Sequence, residues 1–199
     1  SSLGDVDLAV KCAHSAFYKT WSKITPFERG QILLKFAGIL KNNSQKLADL
    51  ESLDVGKPKS EAEGDISGVI NTFIYNAGAA DKIEGSTIPL GNSYVDYTEL
   101  VPLGVTAHIV PWNFPLQLAI RSIAPALASG CTVIAKPASW TPLSLIAWTK
   151  AMQEAEVGLP TDVLQVITGS GGLIGDALAG HSGIDGVVLT GGVPTGQAV

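Results

Sequence analysis

The sequence is poor in cysteine, and this shortage limits the kinds of site that it can build. Its two cysteines, Cys12 and Cys131, lie far apart in the chain and form no C-x-x-C pair. Because free cysteine commonly behaves as a small buried apolar residue, we interpret them as two reduced thiols, one on a helix and one on a strand. We therefore predict a cytoplasmic protein without a metal site.

Charged residues and long apolar runs are also scarce. Only 16% of the residues are charged, the net charge is −5, and no block of Lys and Arg could follow a phosphate backbone, so nucleic acid is not expected as a partner. No run of about 18 apolar residues occurs, since Arg121 interrupts the best candidate. The first ten residues lack the basic and apolar parts of a signal peptide. We expect no membrane association.

Glycine and apolar residues, in contrast, are plentiful. The chain of 199 residues is 46% apolar and has 22 glycines, which suits a well-packed α/β protein with many tight loops. The first 84 residues predict helices. One covers residues 5–18, and the next begins at the capping box Thr25-Pro26-Phe27-Glu28. Ser44 is predicted to cap a third helix that ends at Gly56-Lys57-Pro58, and a fourth carries an apolar stripe from Ile66 to Ala77.

The second half of the chain changes its pattern from helices to alternating strands and helices. Residues 93–101 predict an extended, partly exposed strand. The segments that follow at 104–110, 131–136, 163–168 and 186–190 are short and rich in Val and Ile, as strands buried on both faces are. Helical segments lie between them, one of them capped and opened by Thr141-Pro142. This alternation predicts βαβ units and a parallel, doubly wound, Rossmann-like sheet.

This pattern divides the chain into three parts. Residues 1–84 are the helical part, 85–101 the extended segment and 102–199 the Rossmann-like core. Such a core usually has about five or six strands, whereas only four are predicted here. We therefore expect a truncated sheet.

Two glycine-rich loops follow predicted strands, where open parallel sheets bind ligands. Gly169-Ser170-Gly171-Gly172-Leu173-Ile174-Gly175 has the glycines that let a backbone approach a diphosphate, but Ile174 occupies a position where the usual dinucleotide fingerprint has glycine. Thr190-Gly191-Gly192 comes before another predicted helix, where backbone amides without bulky side chains could face a phosphate or a nicotinamide ring. Each loop taken alone could equally be a turn that binds nothing.

Two further loops at the same predicted edge carry unusual side chains. In Pro111-Trp112-Asn113-Phe114-Pro115, prolines stiffen a turn that could aim the Asn113 amide at a developing oxyanion. The alternative is that Asn113 caps the next helix. Lys136 ends a buried strand, where an ammonium needs a partner such as a ribose hydroxyl or a phosphate, unless it extends along the rim to solvent.

Several motifs together resemble the aldehyde dehydrogenase superfamily in their order and spacing, over nearly the whole chain. They are Leu53-Asp54-x-Gly56-Lys57-Pro58, Val110-Pro111-Trp112-Asn113-Phe114-Pro115, Pro125-Ala126-Leu127-Ala128-x-Gly130, Lys136-Pro137, Thr141-Pro142, the glycine-rich turn and Leu189-Thr190-Gly191-Gly192. The resemblance implies NAD(P)-dependent oxidation of an aldehyde to a carboxylic acid by the parent protein.

The resemblance also implies roles for single residues. Asn113 matches the family's oxyanion-hole asparagine, and Lys136 matches the lysine that contacts the adenosine ribose. Ser139 lies where NAD-preferring members often have Glu, so we hypothesise that NADP is accepted as well as NAD. The remaining predicted cofactor-binding positions are Val110, Pro111 and Trp112 in the first loop, Gly171 and Gly175 at the diphosphate, and Thr190, Gly191 and Gly192 beside the nicotinamide. Gly192 departs from the serine of many members, which removes a side-chain hydrogen bond there.

The resemblance finally implies that essential parts lie elsewhere. In this family the nucleophilic cysteine and the glutamate that activates water follow the Thr-Gly-Gly loop, and this chain ends before either. We therefore expect a fragment that lacks the catalytic domain and is inactive alone, from a parent that forms dimers or tetramers. Two alternatives remain open: a nucleotide-binding module without redox activity, and a scaffold domain that has lost ligand binding.

Overall fold

The chain folds into eight α-helices and six strands, which a computed structural model describes over residues 1–199. The helices are α1 (Leu3–Lys19), α2 (Pro26–Asn42), α3 (Ser44–Val55), α4 (Lys59–Ala79), α5 (Pro115–Ser129), α6 (Leu143–Glu154), α7 (Asp176–Ala179) and α8 (Val193–Ala198). The strands are β1 (Thr87–Ile88), β2 (Asp96–Tyr97), β3 (Val105–Ile109), β4 (Thr132–Lys136), β5 (Leu164–Val166) and β6 (Gly186–Leu189). The last four are the predicted strands, each found within two residues of its expected ends.

The main sheet contains β3 to β6, all parallel, in the order β5-β4-β3-β6. This confirms the predicted parallel α/β fold. The chain moves outward from β3 through β4 to β5 and then returns to the other side of β3 to form β6. Ile109, at the end of β3, pairs with both Lys136 and Leu189, so the carboxyl ends of three strands are level.

Helices cover both faces of this sheet. On one face, α5 and α6 pack with α2 and α4 around a core of 31 buried residues, which includes Val133 and Ala135 of β4. On the other face, α1 and α7 cover Ile134 and most of a second core of 10 residues. The two faces take alternate residues of β4, as the period of a strand requires. The helix before β4 and the one after β5 therefore lie on opposite faces.

Local sequence signals fix the first helices. The Thr25–Glu28 capping box is present as predicted, with the Glu28 amide 3.3 Å from Thr25 Oγ1 and the Thr25 amide 2.9 Å from Glu28 Oε2. A second capping box, between Ser2 and Asp5, begins α1 two residues before the predicted start. The predicted stop of α3 is confirmed, since Gly56 ends this helix in the left-handed region at φ 81°.

Two predicted caps are wrong. Asn43, not Ser44, precedes α3, and its side-chain amide donates to the Ile39 carbonyl at the end of α2 instead of capping α3. Thr141 does not cap α6, which begins at Leu143. The Thr141 hydroxyl donates to the Trp112 carbonyl, 3.0 Å away. The Leu143 amide donates instead to the Asp54 carboxylate on α3, at 2.9 Å. An acid from a distant part of the chain therefore accepts the hydrogen bond that was expected of Thr141.

The predicted strand at 93–101 is much shorter than expected. Only Asp96 and Tyr97 form a strand, antiparallel to Thr87 and Ile88. Its neighbours, including Tyr94, Val95, Leu100 and Val101, are exposed. Tyrosine and valine favour extended backbone here, but only two residues have a partner strand.

Both cysteines are free thiols. Cys12 lies on α1 as predicted, whereas Cys131 is buried directly before β4 and not within it. None of the helices combines the length and the apolar character that a membrane crossing requires.

Candidate cofactor and active site

The four predicted loops lie side by side at the carboxyl edge of the main sheet. Backbone hydrogen bonds extend the sheet into them. Val110 N–H donates to the Lys136 carbonyl at 3.0 Å, Ile167 N–H to the Ala135 carbonyl at 3.0 Å, and Thr190 N–H to the Ile109 carbonyl at 3.3 Å. The loops after 110, 136, 168 and 190 therefore form one rim, the carboxyl rim.

Side chains connect neighbouring loops of the carboxyl rim. The Ser139 hydroxyl donates to the Gly169 carbonyl at 2.8 Å, which ties the loop after β4 to the loop after β5. The Thr141–Trp112 hydrogen bond ties the loop after β4 to the loop after β3, and the Trp112 and Trp140 rings lie 6.5 Å apart. These contacts join the loops after β3, β4 and β5 to one another.

Lys136 is the charged group of the carboxyl rim. The residue is only 2% exposed, so the alternative of a lysine that extends along the rim to solvent is wrong. Its ammonium donates to the Pro137 carbonyl at 2.9 Å, and burial lowers its pKa. An ammonium has three donors, and two of these have no partner in the chain. This arrangement fits a ligand that brings oxygen acceptors.

The glycine-rich loop forms a π-helical turn at Gly171–Gly175, which leads into α7. Ile174, where the usual fingerprint has glycine, is fully buried in the second core. Gly169, at φ 151°, makes room for it, because a Cβ there would lie 2.4 Å from Ile174 Cγ1. A Cβ on Gly175 would lie 3.8 Å from two carbons of the Lys136 side chain. The turn is therefore both a packing element and a neighbour of the lysine.

The loop after β6 exposes its backbone. Thr190, Gly191 and Gly192 are all exposed, and Gly192 precedes α8 with extended backbone and no side-chain cap. The amides at this helix start are therefore accessible from the carboxyl rim.

Asn113 lies on the carboxyl rim with an exposed side chain that makes no hydrogen bond to the rest of the chain. Phe114, not Asn113, precedes α5, so the alternative of a capping asparagine is wrong. Pro115 is buried in the first turn of α5, and Val110 is buried directly after β3. The two ends of the loop are thus fixed, while the Asn113 amide is free to meet a ligand.

Sequence reasoning missed a set of charged residues beneath this loop. Lys57, in the turn between α3 and α4, lies 4.2 Å from the centroid of the Phe114 ring and 2.6 Å from the Asp65 carboxylate. Gly56-Lys57-Pro58 predicts a helix stop and belongs to one of the family-like motifs, but neither interpretation assigns a role to the Lys57 side chain. The signal that could have identified Lys57 is its presence in one of the family-like motifs.

Comparison with known proteins identifies the family. The model of the aldehyde dehydrogenase family matches residues 1–199. Human retinal dehydrogenase 2 is 42% identical over 198 residues, 98% of this chain and 38% of that protein. Aldehyde dehydrogenase [NAD(P)+] 1 of Saccharomyces cerevisiae is 44% identical over 197 residues, with the same coverage of each chain.

The fold agrees with these matches. The NAD+ complex of aldehyde dehydrogenase from Bacillus cereus superposes with a TM-score of 0.96 at 41% identity, over 99% of this chain and 40% of that one. The chain thus spans 38% to 40% of the length of these relatives. Because the family model matches all 199 residues of this chain, the chain belongs to the aldehyde dehydrogenase family.

Proposed function

We propose that the protein carrying this chain oxidises an aldehyde to a carboxylic acid with NAD or NADP, and that this chain supplies the cofactor site and Asn113. The observation that carries the proposal is the carboxyl rim, where Gly175 of the glycine-rich turn lies beside Lys136, a buried lysine whose ammonium has two unused donors. An NAD+ complex and an NAD(P)+ enzyme among the relatives support the cofactor. Formation of NADH or NADPH by the whole protein with a panel of aldehydes tests it.

Asn113 would act as an oxyanion donor. When a thiolate attacks the aldehyde carbon, negative charge develops on the aldehyde oxygen, and a preorganised amide stabilises that charge. The Asn113 side chain is suited to this role because it is exposed, free of other hydrogen bonds and held on a short loop between two prolines. A nicotinamide dinucleotide bound at the same rim would accept the hydride.

The attacking thiolate would come from outside these 199 residues. Cys131 directly precedes β4 and therefore lies at the amino edge of the sheet. Since β4 has five residues, the carboxyl rim is about 16 Å away. Cys12 is near the same edge, since its neighbour Ala13 accepts a hydrogen bond from Thr132 at 3.3 Å. We propose that this chain alone binds the cofactor but does not oxidise aldehydes, which is the second candidate function.

Replacing the buried lysine tests the cofactor site. We expect Lys136→Met to raise the Kd for NAD by roughly 10- to 100-fold, because a hydrogen bond to a charged group contributes about 1.5–3 kcal/mol. The variant should unfold no more easily than the wild type, since methionine replaces a buried ammonium that lacks an acidic partner. Calorimetric titration with NAD measures the effect. Lys150→Met on α6, whose side chain is 72% exposed, is the matched control, and equal affinities of the two variants would contradict the proposed role.

Ser139 offers a test of cofactor choice. We expect Ser139→Glu to weaken NADP binding roughly tenfold relative to NAD, because a carboxylate would repel the 2′-phosphate across a solvent-exposed site. Ser139→Gln has the same size without the charge and serves as control. Equal shifts in the two variants would refute the electrostatic explanation. A wild-type preference for NAD of about 100-fold would count against dual use.

A further inference from the structure

A buried cluster of three charged side chains lies beneath the loop that carries Asn113. It consists of Glu51 on α3, Lys57 in the following turn and Asp65 on α4. The Lys57 ammonium is 2.6 Å from Asp65 Oδ2 and 3.9 Å from Glu51 Oε1. The three side chains are 0% to 12% exposed. We call these residues the Lys57 cluster.

The Lys57 cluster contacts the loop through one aromatic ring. The Lys57 ammonium lies 4.2 Å from the centroid of Phe114, the residue that follows Asn113. A cation over an aromatic face is attracted by the ring quadrupole, and the attraction is stronger where water is excluded. Because the Asp65 carboxylate holds the ammonium at 2.6 Å, the cation has a defined position from which it attracts the ring.

Glu51 extends the cluster to the starts of two helices. Neither of its carboxylate oxygens has a hydrogen bond of good geometry. Burial raises the pKa of Glu51, while the Ser144 hydroxyl, the Lys57 ammonium and the Leu116 amide act in the opposite direction. Leu116 and Ser144 belong to the first turns of α5 and α6, the helices that follow two loops of the carboxyl rim. Asp54, three residues further along α3, binds the amide of Leu143 in that same turn of α6.

We propose that Lys57 is a positioning residue that holds Phe114, and through it the Asn113 amide, in the orientation needed for oxyanion stabilisation. The catalytic part of this proposal rests on the proposed function. Buried ion pairs generally cost more in desolvation than apolar side chains of the same volume. What the Lys57 cluster adds over apolar packing is direction, since it places one cation over one ring at the base of the loop that carries Asn113.

The positioning role is testable without enzymatic activity. The Leu118 amide donates to the Phe114 carbonyl at 2.9 Å, so hydrogen exchange at Leu118 in the whole protein reports the anchoring of the loop. We expect Lys57→Met to raise this exchange rate at least about tenfold, and Lys57→Arg to stay within a factor of about two of the wild type. The Arg29 amide, which donates to Thr25 at 3.0 Å in α2, is the internal control and should not change.

Activity provides the second arm of the test. Lys57→Met and Phe114→Leu should each lower kcat roughly tenfold with an unchanged Kd for the cofactor, while Lys57→Arg keeps most of kcat. The double variant should be no slower than the slower single variant, because both substitutions remove one interaction. Multiplied effects, or equal losses in Lys57→Met and Lys57→Arg, would overturn the proposal.

The two arms separate the possible failures. If Lys57→Met does not fold, Phe114→Leu decides the matter, since it leaves every charge of the cluster in place. Unchanged exchange at Leu118 in that variant overturns the positioning role. If the wild-type protein oxidises no aldehyde, the proposed function fails, while the exchange at Leu118 still decides whether Lys57 anchors the loop.

Discussion

We expect the Asn113→Ala variant of the whole protein to lose about 10²- to 10³-fold in kcat for aldehyde oxidation, the usual cost of one oxyanion-hole donor. Asn113 is exposed and makes no hydrogen bond within the chain, so the free energy of unfolding should not change. The affinity for the cofactor should not change either, because the donor acts on charge that develops only during the reaction. Steady-state kinetics together with a cofactor titration measure both quantities.

A matched variant separates the donor from the shape of the side chain. Asn113→Asp keeps the shape but replaces the amide donor with an acceptor, so it should be at least as slow as Asn113→Ala. If either variant kept kcat within about threefold of the wild type, Asn113 would not be an oxyanion donor.

The largest expected loss of stability comes from Trp148. It is fully buried, and its ring lies 6.0 Å from Phe36 and 5.6 Å from Phe73, so it joins α6 to α2 and α4. We expect Trp148→Ala to lower the free energy of unfolding by about 3–5 kcal/mol, because the cavity cannot collapse among three helices. Urea denaturation at constant m-value measures the change.

Trp148→Phe is the control for this cavity. The Trp148 ring nitrogen has no hydrogen-bond partner, so phenylalanine removes an unsatisfied N–H while it keeps most of the aromatic contact. We expect it to cost less than about 1.5 kcal/mol. Equal destabilisation by the two substitutions would show that the aromatic contacts do not determine the stability of this core.

Much of the fold could be predicted because it depends on local or periodic signals. Short Val- and Ile-rich segments alternating with helices indicate parallel strands, and parallel strands present the loops that follow them at one edge. The common location of Asn113, Lys136 and Thr190 followed from that reasoning. The return of the chain to place β6 beside β3 agrees with the predicted doubly wound arrangement, in which the strand order reverses beside the first strand.

The features that sequence reasoning missed join segments distant in the chain. Asp54 accepts a hydrogen bond from the Leu143 amide at the start of α6, 89 residues away in the chain. No sequence pattern near Thr141 indicates this contact. Lys57 contacts Phe114, which lies 57 residues further along the chain (114 − 57). An ion pair or a cation–π contact leaves no periodic pattern in the sequence from which it could be predicted. The predicted strand at 93–101 is too long for a related reason. The partner strand has only two residues, Thr87 and Ile88, and the sequence around 93–101 does not show where that partner ends.

The most direct test of this account is hydrogen–deuterium exchange of the whole protein with and without saturating NAD or NADP. We expect slower exchange at the carboxyl rim, in the four loops that contain Asn113, Lys136, Gly171 and Thr190, and little change elsewhere. Absence of slowing with both nucleotides, or slowing confined to the amino edge around Cys131, would contradict the claim that these loops together form the cofactor site.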